Sequence, residues 1–413
     1  MHKLLADQRV HQLFDIVVVL LVILLVFEVG IRLVGTTNRD GEFHFLGYRL
    51  KPYALPVESA KVSGFEYLAT DQAYIEYAPV RGWKISPNRT GSSGLAHSNG
   101  QGLRGEKDYS LEPEPGVLRI AAFGDSFVHG DDVYDNATWV HQLEIALAPV
   151  IPNETLNFGV PGYSIGQAML AYERAGKEFN PDIVLIGFQP ENCFRNVNIY
   201  RGFYVQNTSL PFFKPRHIFD ANGQLQLINT PTPDPSQVAR ILEDFEAFEF
   251  AKFGYFYDSA DYEQKLTRGV KVFALFELIW EIILRQFSDE TERFFDTEEE
   301  GGKLCYALLK KFETEAIADG AHAYIVHIPY ERYFRQTLAG GKIPYQKLFD
   351  QLRQSGSKII DLQPLMEAES KYTPVEDLYI PHFSAALSLR VARHVANCIA
   401  ADANALYTHT GVC

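Results

Sequence analysis

Arg119-Ile120-Ala121-Ala122-Phe123-Gly124-Asp125-Ser126-Phe127-Val128-His129-Gly130 decides how the rest of the chain is read. The apolar run from Val117 to Phe123 has the length and composition of a short buried strand. It stops at Gly124, where the backbone turns without a Cβ penalty, and a helical pattern begins near Thr138. Ser126 therefore stands just past the carboxyl end of a strand, the edge at which open α/β sheets bind ligands. A serine held there presents its hydroxyl and leaves its own N–H free for a reacting oxygen. A Gly-Asp-Ser turn also joins strands to helices with no chemistry at all, so the other strand ends carry the decision.

Downstream the pattern alternates. Strands are expected at Val117–Phe123, Glu154–Phe158, Ile183–Phe188, Ala323–Ile328 and Lys358–Asp361. Helical patterns fall at Thr138–Ala148, Ile165–Lys177, Lys303–Ala318, Tyr345–Gln354 and Ser384–Ala400. Such alternation signals an α/β fold with a parallel sheet. It breaks off between about 195 and 300, where Pro231, Pro233 and Pro235 precede helical patterns at Ser236–Phe253 and Gly269–Phe287. The second is apolar but for a narrow stripe of Lys271, Glu277, Glu281 and Arg285, and burial in the core is the favoured reading over a lid or a membrane contact.

Upstream, Ile16–Phe27 is an unbroken apolar run inside a mostly apolar span from Leu13 to Val34, near the roughly 20 residues a bilayer core requires. No small-residue cleavage site follows, so 13–35 reads as an uncleaved transmembrane anchor after a short flank, 1–12. Lys3 and Arg9 on one side balance Arg32 and Arg39 on the other, leaving orientation undecided by charge. Residues 36–116 show short extended segments and turns, such as Tyr74–Tyr77 and Gly82–Ile85, and read as an extended juxtamembrane segment packing on a catalytic domain at 117–405. The glycine-rich Asn99–Gly105 lacks the Lys-Ser/Thr that a phosphate loop requires.

The net charge of −14 and the lack of a basic stripe exclude nucleic acid as a partner. Cys193, Cys305, Cys398 and Cys413 show no metal spacing and cannot be paired from sequence. Cys193 reads as a small buried hydrophobe rather than a reactive thiol. No His/Asp/Glu cluster has ligand spacing, so neither metal nor cofactor is expected. His129 reads as a histidine satisfied within its own turn.

Three further patches follow the strands or precede the last helix: Asn157-Phe-Gly-Val-Pro-Gly162-Tyr-Ser164, Gly187-Phe-Gln-Pro-Glu191-Asn192, and Asp377-Leu-Tyr379-Ile-Pro-His382-Phe-Ser384. In a parallel sheet these loops leave from one edge. They supply a nucleophile, N–H and amide donors for an oxyanion, and a base, the requirements of acyl transfer.

In this order the motifs resemble the SGNH (GDSL-type) hydrolases, and most closely their membrane-anchored bacterial members. Gly124-Asp125-Ser126 is similar to the first block, Gly162 to the second, Asn192 to the third and His382 to the last. The resemblance implies a flavodoxin-like three-layer parallel sheet. It implies a serine esterase or acyltransferase working on O-acyl groups of a saccharide or lipid, with residues 36–413 on the non-cytoplasmic side. Ser126 would attack, His382 would shuttle the proton, and Ser126, Gly162 and Asn192 would hold the oxyanion. The family's Asp three residues before the histidine is Tyr379 here. Asp377 is the nearest carboxylate, leaving a triad through Asp377 or a Ser126–His382 dyad. Glu191 sets a negative charge beside the oxyanion site. These two departures keep a non-catalytic binding or assembly module as the alternative.

Overall fold

The computed structural model describes residues 2–68, 73–206, 208–210, 212–286 and 290–408. Strands β1 (Leu118–Gly124), β2 (Asn153–Gly159), β3 (Ile183–Phe188), β4 (His322–His327) and β5 (Ile359–Asp361) form one sheet in the order β5-β4-β3-β1-β2. Every neighbouring pair is parallel. The chain winds from β1 to β2 on one side and then to β3 on the other. Strand order thus reverses between β1 and β3, which opens a crevice at their carboxyl ends.

Side chains alternate across this sheet and are buried on both faces, which is why the strands read as continuous apolar runs. Ala121, Phe123, Val184, Ile186 and Ile325 pack against helices Ile165–Arg174 and Glu300–Ala318. Ile120, Ala122, Leu185 and Val326 pack against helices Trp139–Leu147 and Ala385–Thr408. Thr138 starts one helix by accepting the His141 N–H, and Ser164 and Gln167 form a reciprocal capping box at another. Arg119, fully buried at the foot of β1, donates to Glu154 on β2 at 2.8 and 2.6 Å and to the carbonyls of Leu111 and Phe179. Its charge is thus paired and its donors are used, the condition for tolerating it there.

The N-terminal helix runs His2–Val34, so it absorbs the expected flank as well as the apolar span. Its stretch His11–Val34 is long and apolar enough to cross a membrane. Between 36 and 116 the chain is less extended than expected, because Val57–Leu68 is helical. Ile75–Ala78 and Gly82–Ile85 pair as an antiparallel hairpin. Trp83 on that hairpin is completely buried and donates its indole N–H to the Pro161 carbonyl, which seats the segment on the β2 loop.

The insert departs furthest from expectation. In place of one helix over 236–253 there is a short helix, Val238–Glu243, flanked by 3-10 turns. Phe245 and Phe248 there join Phe203, Phe213 and Tyr257 in an aromatic cluster that outweighs helical propensity. Arg216–Phe219 pairs with Leu225–Ile228 in a hairpin that the sequence reading missed. The helix over Lys271–Gln286 forms as expected. Its apolar face, however, is not core: Phe276 is 62% and Trp280 61% exposed. Cys413 lies outside the described residues.

Candidate active site

Three glycines at strand ends make the site possible. A Cβ on Gly124 or Gly187 would lie 2.5 or 2.3 Å from the Val128 side chain, and one on Gly159 would lie 2.2 Å from the His129 nitrogen. The short helix Ser126–His129 can therefore settle directly on the ends of β1, β2 and β3. Gly124 is required for this close approach rather than for the turn. Asp125 caps the helix through the Phe127 N–H at 3.0 Å. Its other carboxylate oxygen takes the Asn192 amide at 2.9 Å and the Arg195 guanidinium at 3.0 Å.

His382 comes from the far end of the chain. Its Nε2 lies 2.7 Å from Ser126 Oγ, and its Nδ1 lies 2.6 Å from Asp132 Oδ2. The same Asp132 oxygen also accepts the His382 backbone N–H at 3.1 Å. A carboxylate on Nδ1 fixes the tautomer, so Nε2 is the nitrogen that accepts the serine proton. Phe127 packs edge-on against the imidazole at 4.7 Å. Asp377 does not reach the ring; it is an exposed residue of the short helix Val375–Leu378. Tyr379, three residues before His382, turns inward and donates to the Pro329 carbonyl at 2.7 Å. An apolar ring buried beside Phe127 and Phe383 holds that position, so the carboxylate has to come from another loop.

The oxyanion donors divide into two kinds. Among the described residues, the N–H groups of Ser126 and Gly162 have no acceptor within the chain. Gly162 has φ +77°, a conformation that strains any side chain. Asn192 is different: its amide hydrogens go to Asp125 at 2.9 Å and, more weakly, to the Tyr163 carbonyl at 3.4 Å. Asn192 therefore braces the nucleophile's cap in this arrangement. Glu191 raises no obstacle, because Arg195 at 3.1 Å and the Tyr204 hydroxyl at 2.7 Å engage it. Burial would raise its pKa, yet the Arg195 charge holds it below the usual carboxylate range. Arg201 sits behind the glycine turn, within 3.5 Å of the Gly162 carbonyl. Burial and the neighbouring Arg195 bring its pKa down to about 10. Cys193 is buried as expected, but it forms a disulfide with Cys305. That bond ties the helix carrying Asn192 to helix Glu300–Ala318.

A second relay lies beside the first. His129, 2% exposed, holds Asp131 through Nδ1 at 2.5 Å and meets the Tyr74 hydroxyl through Nε2 at 2.8 Å. The turn satisfies one ring nitrogen, as the sequence suggested, while the other reaches a residue far upstream. Burial lowers the His129 pKa against the pull of Asp131, so the ring stays neutral and accepts the tyrosine proton. Tyr74, Thr90, Ser92, Ser93, Asp131 and Asp132 line part of a cavity of about 550 Å³. Among the described residues no three His, Cys, Asp or Glu side chains converge as a metal site.

No protein-family model and no curated protein matches the chain. Among solved structures it is similar to TesA, at 11% identity and a TM-score of 0.35, over 67% of this chain and 96% of that one. It is also similar to Axe2, an acetylxylan esterase from Geobacillus stearothermophilus, at 12% identity and 0.36, over 69% and 95%. A member of the lipolytic protein G-D-S-L family from Veillonella parvula matches at 12% identity and 0.33, over 68% and 96%. Likenesses this shallow assign no role to any residue, and the chemistry rests on the geometry around Ser126.

Proposed function

We propose that the chain is a serine esterase or acyltransferase that removes O-acyl groups from a saccharide or lipid, held at a membrane by its N-terminal helix. The observation that carries this is the continuous hydrogen-bonded line Ser126–His382–Asp132, at 2.7 and 2.6 Å. Ser126 Oγ attacks the ester carbonyl as its proton passes to His382 Nε2. Asp132 keeps the imidazole oriented and stabilises the imidazolium without taking the proton itself. The oxyanion is held by the Ser126 and Gly162 N–H groups. His382 then returns the proton to the departing alcohol, leaving an acyl-serine. Water, or a second alcohol, attacks that acyl group by the same route in reverse.

The cavity beside Asp132 is walled by both kinds of group, hydroxyls and carboxylates at Tyr74, Thr90, Ser92, Ser93 and Asp131 and apolar side chains at Ile75, Pro161, Leu210 and Phe212, which suits either a sugar or a lipid alcohol. The Cys193–Cys305 disulfide supports placement of the domain outside the cytoplasm, since such bonds persist in oxidising compartments.

Fluorophosphonate labelling of the purified full chain tests the reading, run beside hydrolysis of p-nitrophenyl acetate and of acetylated oligosaccharides. Labelling that disappears in Ser126→Ala, together with ester cleavage, is the expected result. A wild-type protein that neither labels nor cleaves any of these esters would leave the binding-module reading in its place.

A further inference from the structure

The insert helix Lys271–Gln286 touches the apolar N-terminal helix directly. Leu24 and Ile31 of the latter share an apolar cluster with Val272, Ala274, Leu275 and Leu278. The Glu28 carboxylate accepts the Val272 N–H at 2.9 Å, and Arg32 donates to the Gly269 carbonyl at 2.8 Å. The polar stripe of the insert helix is also engaged: Glu281 pairs with Lys51 at 2.6 Å and Glu277 with Arg268 at 2.7 Å. These contacts use two faces of the helix. The third carries Phe273, Phe276, Ile279, Trp280, Ile283 and Leu284, at the three- and four-residue spacing of one stripe, all of them exposed.

An apolar stripe this long on a water-facing surface marks a contact with something else. The surface it adjoins identifies the occupant. The N-terminal helix exposes its own apolar side chains from Leu13 to Val34, and the two uncovered surfaces meet at the Leu24–Ile31 contact. A bilayer that surrounds the first helix reaches the second without any further movement. At the junction stand Lys271 and Arg32, the latter paired with Glu28 at 2.7 Å, and Trp280 is a residue type favoured at the membrane interface. The helix itself, at 16 residues, is about 24 Å long, enough to lie in the interface plane as amphipathic anchors do.

We infer that the insert helix is a second membrane contact, its Phe273–Leu284 stripe bedded in the acyl chains of the leaflet around the C-terminal end of the N-terminal helix. The inference rests on reading His11–Val34 as a membrane span. Its consequence is mechanical. A single-helix tether lets a domain swivel, whereas two contacts hold the Ser126 edge of the sheet at one height and tilt above the lipid.

Trp280 is a built-in probe, because Trp83 and Trp139 are fully buried. The full chain and its Trp280→Phe variant are reconstituted into phosphatidylcholine vesicles with and without brominated acyl chains. The fluorescence difference between the two proteins isolates Trp280. The expected result is that brominated lipid removes most of this difference signal while aqueous iodide leaves it. Quenching by iodide and not by brominated lipid would overturn the inference, as would a signal shielded from both in a chain that cross-links to a second copy. Alkaline carbonate extraction separates the two levels. If the chain stays in the membrane and Trp280 still escapes lipid quenching, the second contact alone is lost. If carbonate releases the chain, the span is lost with it.

Discussion

Asp132 lies six residues after Ser126 in sequence, yet it serves a histidine that arrives from residue 382. Replacing it with asparagine favours the wrong tautomer of His382, and a loss in kcat of about 10³–10⁴ is expected. Asp377→Asn, at an exposed position away from the ring, should leave the rate of p-nitrophenyl acetate hydrolysis within about twofold of wild type. Equal losses from both substitutions would remove Asp132 from its assigned place. Tyr74 gives a different signature. Its hydroxyl reaches the buried His129 Nε2 at 2.8 Å, on the wall of the cavity. Tyr74→Phe is expected to cost about 1–3 kcal/mol of stability, because it leaves the buried His129 Nε2 without its partner. A denaturation midpoint unchanged from wild type would show that this bond contributes nothing to the fold.

At the scale of elements, the insert is bound to the catalytic sheet by links that can be broken one at a time. His217, on strand Arg216–Phe219, lies over Gly166 of helix Ile165–Arg174, where a Cβ would come within 3.0 Å of the imidazole. Burial pushes its pKa down to about 4, with Lys214 and Lys311 adding to the effect and Glu173 opposing it. A histidine with a lowered folded pKa stays neutral where the unfolded chain is already protonated. Stability should therefore fall as pH drops from about 6.5 towards 4, by as much as about 3 kcal/mol from this residue. His217→Gln should flatten that part of the stability–pH curve measured by chemical denaturation; an unchanged slope would show that His217 is not the group responsible. The Cys193–Cys305 bond closes a loop of 112 residues. In the chain-entropy account its loss costs about 4–5 kcal/mol. The Cys193→Ala/Cys305→Ala double variant should unfold at clearly lower denaturant than the wild type, and an unshifted midpoint would show that the bond does not constrain the unfolded chain.

At the scale of the whole molecule, the sheet edge, the N-terminal helix and the insert helix make one arrangement: chemistry at the carboxyl ends of the strands, and apolar surface on two helices that touch each other. Under the proposed function the catalytic domain lies outside the cytoplasm, a placement the Cys193–Cys305 disulfide supports. A C-terminal alkaline phosphatase fusion should then be active and a C-terminal green fluorescent protein fusion exported through the general secretory route dark; the opposite pattern would reverse the topology.

Sequence alone determined the five strands, their parallel pairing and the candidate serine, glycine and histidine in the loops between elements. Each of these leaves a local trace: apolar runs of strand length, glycines where a backbone must approach closely, and motif spacing along one stretch of chain. Tertiary structure decided the rest. The carboxylate on His382 is set by which loop reaches the ring: Asp132 does, while Asp377 stands exposed on the helix Val375–Leu378. The Cys193–Cys305 pairing joins helices far apart in sequence, and no spacing rule records such a meeting. The Asn192 amide looks free in sequence, yet Asp125 lies within its reach once β1 and β3 are neighbours. The Lys271–Gln286 helix shows an apolar surface too wide for one polar stripe to balance. Only packing reveals that part of it meets the N-terminal helix and part faces outward, because periodicity reports which residues share a face and not what that face meets.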